Sequence, residues 1–324
     1  MSQLKSQSYG KDNVRLVKVT AHENHQDVLQ LNAQVLLSGP AFEPSYTKAD
    51  NSLVVPTDTV KNTIYFLAHQ HPIDSLESFG THVISHFLST YSHVESVSVK
   101  LDQISWDRIQ TTTQKPLTRD FPGSLIPSNP QALASIAHPH SFMRGSNEKR
   151  GFQGFGRRAG PGRYTLESSG SLTGLTILKT TGSSFTDFHR CPLTTLPDMA
   201  DRILSTTVDC SWKFQPKELS FFAAFPETGN KIFKLVRQLV LDLFANHDSP
   251  SVQNTLFLIC QQSLALIPAL DEMSVSLPNS HVFVYDLARF GIKDNAQGKG
   301  GMYFPMADPN GLINATVERI KPKL

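Results

Sequence analysis

The sequence predicts an α+β protein built from two ββααββ units in tandem, each laying helices on one face of an antiparallel sheet. Three observations carry this expectation. Stretches with strand periodicity come in pairs; each pair is followed by two segments whose apolar residues fall at helical spacing; and the second helix of each half is followed by a Ser-Val-Ser strand, Ser96–Ser98 and then Ser274–Ser276.

In the first unit, Val14–Thr20 and Val28–Leu37 read as strands, the second because Leu29, Leu31, Ala33, Val35 and Leu37 alternate with Gln30, Asn32 and Gln34. The run from Asn51 to Leu67, NSLVVPTDTVKNTIYFL, turns from an apolar stretch into a helix at Pro56-Thr57-Asp58, with Thr57 or Asp58 expected at the N-cap. A second helix is expected from near Asp74, where Asp74 and Glu77 have the spacing of a capping box, to about Tyr91. Strand periodicity returns in Val94–Leu101. Residues 114–137 hold four prolines and read as a long surface loop. Residues 151–163 hold five glycines where a continuing strand is expected, which argues against a strand there and leaves the segment without a physical account.

The second unit repeats the order without repeating the letters. Leu172–Thr181 and Arg202–Trp212 read as strands, and Ile232, Phe233, Val236, Leu239, Val240, Leu243 and Phe244 mark one helical face. Ser249-Pro250 reads as N-cap and first residue of a further helix carrying Val252, Leu256, Ile259 and Cys260. Met273–Leu287 reads as two closing strands. The domains are therefore expected at 1–160 and 161–324. Each unit alone leaves sheet edges unpaired, and closure of several units into a tunnel-shaped barrel removes them, so assembly is expected.

Composition narrows the function classes. Of 324 residues 18% are charged and the formal net charge is +2, with no basic block, which argues against nucleic-acid or membrane-surface binding. Cys191, Cys210 and Cys260 are far apart and odd in number, so neither a disulfide framework nor a structural zinc site is expected, and a reducing compartment suits them. No apolar run approaches the ~18 residues of a membrane span, and the N-terminus lacks the apolar segment of a signal peptide. The pairs His69/His71 and His138/His140 have no carboxylates or cysteines at ligand spacing, so no metal is expected.

The segments YGKDNVR (Tyr9–Arg15), SYTKADNSLVVPTDTVKNTIY (Ser45–Tyr65), HPHSF (His138–Phe142), SGSLTGLTILKTTGSSF (Ser169–Phe185), DRILSTTVDCSW (Asp201–Trp212), SVQNT (Ser251–Thr255), SLPNSHVF (Ser276–Phe283) and DPNGLI (Asp308–Ile313) stand in the order in which the urate oxidase family carries them. The chain resembles that family over nearly its whole length. The resemblance implies tandem T-folds in a homotetramer, active sites between subunits, and oxidation of urate by O2 and water to 5-hydroxyisourate and hydrogen peroxide with neither metal nor organic cofactor.

It also implies roles. Phe185 would stack on the purine, Arg202 would pair with its anionic edge through two hydrogen bonds, and Gln253 would read the opposite amide edge. The Val252 N–H would add a donor, and Asn279 would face the space where O2 or water sits. Lys11, Thr57 and His281 would handle protons, and Asp58 would help through its backbone. These residue types suit urate, a flat electron-rich anion that needs a π-face, a charge and an amide edge. Metal-free oxygen chemistry needs a strong electron donor, which a second deprotonation of urate by Lys11 through Thr57 would make. Taken singly, Phe185 reads as core and Arg202 as surface charge; their company gives them the other reading. The acidic residue usual in the family shortly after the stacking phenylalanine is replaced here by Arg190 or Cys191.

Two rivals remain at this level: a purine-binding protein without turnover, and a T-fold enzyme acting on pterins or GTP, which would place a glutamate where Gln253 stands. The last residues, Pro322-Lys323-Leu324, resemble a peroxisomal Ser-Lys-Leu signal with proline in the small-residue position, so peroxisome is the expected location and cytoplasm the alternative.

Overall fold

Alternation of side chains along the strands decides the layers. On β2 (Gln26–Ser38) the residues Leu31, Ala33, Val35 and Leu37 are buried while those between them remain half-exposed. The same holds for Val97, Val99 and Leu101 on β3 (Ser96–Ile104) and for Val208, Cys210, Trp212 and Phe214 on β8 (Leu204–Phe214). One face of the sheet is thus apolar and must be covered. A computed structural model, describing residues 2–111, 135–218, 227–292, 295 and 301–320, shows what covers it.

Strands β1 (Tyr9–Ala21), β2, β3, β6 (Lys149–Gly160), β7 (Arg163–Lys179), β8, β10 (Leu270–Val284) and β11 (Tyr303–Glu318) form one antiparallel sheet in that order, with the short β9 (Lys217–Glu218) on β7. A separate ribbon pairs β4 (Asp107–Thr111) with β5 (Ile136–Met143). After the one-turn α1 (Glu43–Thr47), the helices come in pairs: α2 (Thr57–Gln70) and α3 (Leu76–Thr90), then α4 (Thr228–Asn246) and α5 (Val252–Leu266). α3 packs on β3 and β6, and α5 on β10 and β11. The expected ββααββ order is present twice, the ribbon being inserted in the first copy.

The repeat extends to chemistry that the letters hide. Arg158, in β6, donates to the carbonyls of Leu88, Tyr91 and Val94 at and just past the end of α3, and Arg319, just past β11, donates to those of Leu264, Ile267 and Leu270 at and just past the end of α5. Each guanidinium satisfies carbonyls that a helix C-terminus leaves free.

Several local expectations need correction. The glycine-rich segment is strand β6. Its glycines serve close approach: a Cβ on Gly154 would stand 2.9 Å from Cδ1 of Ile84 in α3, and one on Gly156 would overlap the same side chain. The following turn uses Gly162 at φ 67°. The expected capping box is absent, because Ser75 is the N-cap of α3, accepting from Ser78 N–H at 3.1 Å, and Glu77 points into the core. Pro56, not Thr57 or Asp58, holds the cap position of α2, and Ser251, not Ser249, caps α5 by accepting from Asn254 N–H. Met273–Leu287 is not two strands, since β10 runs through Pro278 paired on both sides, and its partner is β11 further on. Most of the expected 114–137 loop lies outside the described residues, while Ile136 and Ala137 belong to β5.

Candidate active site

The residues singled out in the second unit converge where the chain leaves β7. Ser183 and Ser249 form a parallel bridge in which Ser184 N–H donates to Ser249 carbonyl at 2.7 Å and Ser249 N–H to Gly182 carbonyl at 3.0 Å. Phe185 and Met199 exchange both backbone hydrogen bonds, and Arg202 N–H donates to Ser183 carbonyl at 2.7 Å. The excursion from 183 to 202 is thereby folded back on itself, so that Cζ of Arg202 lies 5.3 Å from the Phe185 ring centroid. Phe185 is itself stacked on Phe188, with centroids 4.8 Å apart and planes 9° from parallel. Asp201 braces this turn. Burial pushes its carboxyl up, but hydrogen bonds from the Thr181 hydroxyl and from the Ser183, Gly182 and Arg202 backbones outweigh that and hold it below the usual carboxylate range.

Arg202 is half-buried, and burial pulls its guanidinium down from its ordinary value; its Nε is buried with no hydrogen-bond partner among the described residues. A guanidinium is always cationic in proteins, so an unpaired buried donor on it is an invitation to an anion. The N-terminus of α5 faces the same bridge. Ser249 and Thr255 are joined hydroxyl to hydroxyl at 2.7 Å, and the cap at Ser251 satisfies Asn254 alone. Val252 and Gln253 are the first two helical residues, whose N–H groups have no acceptor within the helix. The Val252 side chain is buried, and Gln253 is exposed.

Asn279 is 7% exposed on β10, opposite Thr206 of β8 on one side and Gly311 of β11 on the other. Thr206 Oγ1 and Ser183 Oγ are buried and unpaired among the described residues, two polar groups of this region that sequence reasoning missed because nothing distinguishes them from other Ser and Thr in strands. Just past Asn279 the register of β10 shifts, which brings His281 opposite Met306, half-buried with its ring 5.9 Å from Phe283.

The other group lies in the first unit. Lys11 stands at a register shift in β1, where Asn13 takes φ 56°. The Tyr9 hydroxyl accepts from Val55 N–H at 2.8 Å, fastening the segment ahead of α2 to β1. Asp58 accepts from Lys61 at 2.6 Å and from Asn62 at 2.9 Å; the hydrogen bond and charge of Lys61 hold its carboxyl low, and the Lys11 charge adds to this. Lys11 therefore stands within electrostatic reach of the helix start. Thr57 is exposed, and its hydroxyl has no partner among the described residues.

No hydrogen bond, ion pair or ring contact among the described residues joins the two groups. β1 and β11 are the opposite edges of the sheet, with six strands between them. A cavity of about 640 Å³ on the polar face, lined by Arg15, Asn32, Lys100, Asp102 and Ser171 among others, touches none of the residues named above. Within one chain the two groups stand apart.

The chain matches the uricase family over residues 7–152 and 168–314. It is similar to the uricase of Aspergillus flavus, at 37% identity over the whole of both chains, and to that of Cyberlindnera jadinii, at 36% identity over 98% of this chain and 97% of the relative. Its fold superimposes on the crystal structure of uricase from Arthrobacter globiformis with a TM-score of 0.79, covering all of this chain and 97% of the other at 31% sequence identity.

Proposed function

The chain belongs to the uricase family, and from that premise we propose that it oxidises urate with O2 and water to 5-hydroxyisourate and hydrogen peroxide, with no metal or organic cofactor. The observation that carries this reading is the Phe185–Arg202 pair, an aromatic face beside a buried guanidinium donor with no partner among the described residues, tied through the Ser183–Ser249 bridge to the segment that starts α5.

In this reading urate stacks on Phe185, its anionic edge receives two N–H bonds from Arg202, and the Gln253 carboxamide pairs with the facing amide edge while Val252 N–H donates to the ring. Lys11 takes a proton from bound urate through the Thr57 hydroxyl, and His281 holds or passes it on. The Asp58 N–H, second in α2 and without a helical acceptor, stabilises the developing anion. Two electrons then pass from urate to O2, which leaves with two protons as hydrogen peroxide, and water adds its oxygen to the oxidised ring. Asn279 marks the place of O2 or water above the plane.

The two groups then require a partner. We assign a homotetramer in which Lys11, Thr57 and Asp58 of one subunit face Phe185, Arg202, Val252, Gln253, Asn279 and His281 of another. The exposed edges β1 and β11 support this, because both carry unpaired backbone groups that a second copy can satisfy. We place the reaction in purine catabolism and the protein in the peroxisome, where peroxide is tolerated. Pro322-Lys323-Leu324 lies outside the described residues, and a fluorescent protein fused ahead of the last ten residues tests it: puncta with catalase support the assignment, diffuse signal supports cytoplasm.

Ultraviolet loss of urate followed together with O2 uptake tests the activity itself. Stoichiometric consumption of both is expected; tight purine binding with neither would make the protein a binder.

A further inference from the structure

The turn between β1 and β2 reads His22-Glu23-Asn24-His25-Gln26-Asp27, and it is closed by His22 N–H donating to His25 carbonyl at 2.8 Å. Closure brings three side chains to one point. The two imidazoles stack with centroids 4.4 Å apart and planes 13° from parallel. Asp27 Oδ2 lies 3.0 Å from His22 Nε2 and 3.9 Å from His25 Nε2, and the three ligand atoms all fall within 4.8 Å of one another. A tetrahedral ion with bonds of about 2.1 Å needs donors roughly 3.4 Å apart, a value that the two carboxylate–imidazole separations bracket. Among the described residues this is the one group of three with that convergence, while the sequence pairs His69/His71 and His138/His140 do not form one.

The carboxylate is held in place from behind. Arg108 Nη2 donates to Asp27 Oδ1 at 2.7 Å and to Gln26 carbonyl at 2.6 Å, and its Nη1 donates to the His138 and Pro139 carbonyls of β5. Its guanidinium sits 4.7 Å over the Phe142 ring. Oδ1 is therefore occupied and Oδ2 is presented to the imidazoles, the arrangement by which an outer partner orients a metal ligand. A plain ion pair would need only one of the histidines. Two stacked rings on one carboxylate oxygen repel each other when both are protonated, whereas an ion between them takes both as neutral donors.

We propose that His22, His25 and Asp27 bind a divalent ion of the zinc class, with water completing the shell. Two imidazole nitrogens and one carboxylate suit Zn²⁺, and Cu²⁺ or Ni²⁺ after it; Ca²⁺ and Mg²⁺ want more oxygens than the turn offers. Both imidazoles would bind the ion as neutral donors, so binding displaces any proton they carry. The role is structural: the ion ties the tip of the β1–β2 hairpin, through Asp27 and Arg108, to the β4–β5 ribbon. Lys11 lies eleven residues back along β1, roughly 35 Å away at strand rise, so the ion does not touch the proposed chemistry.

The test is calorimetric titration of the chelator-stripped full-length protein with ZnCl2 at pH 7.5, accompanied by the visible spectrum of the Co²⁺ form. One equivalent per chain and a Co²⁺ band of low coordination number are expected. The His22→Ala, His25→Ala double variant should lose both, Asp27→Asn should bind roughly 10-fold or more weakly, and His69→Ala, His71→Ala should bind as the parent does. Urate consumption should be unchanged in the hairpin variants, so failure here is separable from failure of the enzymatic reading. Absence of saturable one-per-chain uptake, or its survival in a folded His22→Ala, His25→Ala protein, overturns the proposal.

Discussion

Replacing Arg150 with methionine tests how the two units are joined. Arg150, on β6, donates through Nη2 to Glu77 Oε2 of α3 at 2.5 Å, with both side chains buried. Its other amino group reaches Asn230 Oδ1 at 2.5 Å, at the start of α4, and its guanidinium lies 4.9 Å from the Phe233 ring. Asn230 Nδ2 in turn donates to the Asp74 carbonyl. Burial pushes the Glu77 carboxyl up, and the Arg150 charge and hydrogen bond oppose that shift. Methionine keeps the stem and removes the opposition, leaving a carboxylate that can stay charged or take a proton. An unpaired buried charge costs about 3–5 kcal/mol. Protonation caps the cost, since neutralising a carboxyl of ordinary value near 4.3 requires roughly 3–4 kcal/mol at pH 7 and about 1 kcal/mol at pH 5. The sign follows from proton counts. With its folded value raised, Glu77 holds more proton in the native than in the unfolded state, so the variant loses stability as pH rises from 5 to 7, by up to ~1.4 kcal/mol per pH unit. Urea melts of parent and variant at fixed protein concentration measure this, and adding Glu77→Gln to Arg150→Met should recover part of the loss at pH 7 by removing the charge. A loss below about 1 kcal/mol at pH 7, or one independent of pH, would refute the reasoning.

The proposed site gives four further tests. Lys11→Met should lower turnover by roughly 10²–10⁴-fold while leaving binding of inert purine analogues intact, and adding Thr57→Ala should cost little more if the two form one relay; Arg202→Ala should weaken urate and analogues alike. If the two groups meet across subunits, as proposed, Lys11→Met and Arg202→Ala proteins, each impaired alone, should regain activity when unfolded together and reassembled. No recovery in demonstrably mixed tetramers would place each site within one chain. Dialysis against a chelator should leave the urate oxidation rate unchanged, and a loss restored by copper or iron would show that a metal takes part in the chemistry.

What the sequence could reveal follows from the range of the interaction that fixes each feature. Strand alternation in Val28–Leu37 and the helical stripe from Ile232 to Phe244 are local, and the structure has β2 and α4 there. The Gly/Arg segment was opaque because its reason lies about seventy residues away: Gly154 and Gly156 make room for Ile84 of α3, and Arg158 serves the carbonyls at that helix's end. Glu77 was misread for the same cause, its capping-box spacing being coincidental to a buried partner on β6. Pro305 and Gly311 mask β11 because turn-forming residues outweigh β-propensity locally, yet pairing with β10 carries the strand through both. The site shows the limit from the other side. Family motifs named Phe185, Arg202, Val252 and Gln253, and the structure brings these together through a bridge between Ser183 and Ser249 that no local pattern announces. They name Lys11 and Thr57 equally well, but a single chain sets that pair near Asp58 at the far edge of the sheet. A residue list is legible in one chain; in the proposed reading, the distance that would make it a catalyst belongs to the assembly. Reassembled mixtures therefore test the proposed site more directly than any single substitution, because only they vary which chain supplies each half.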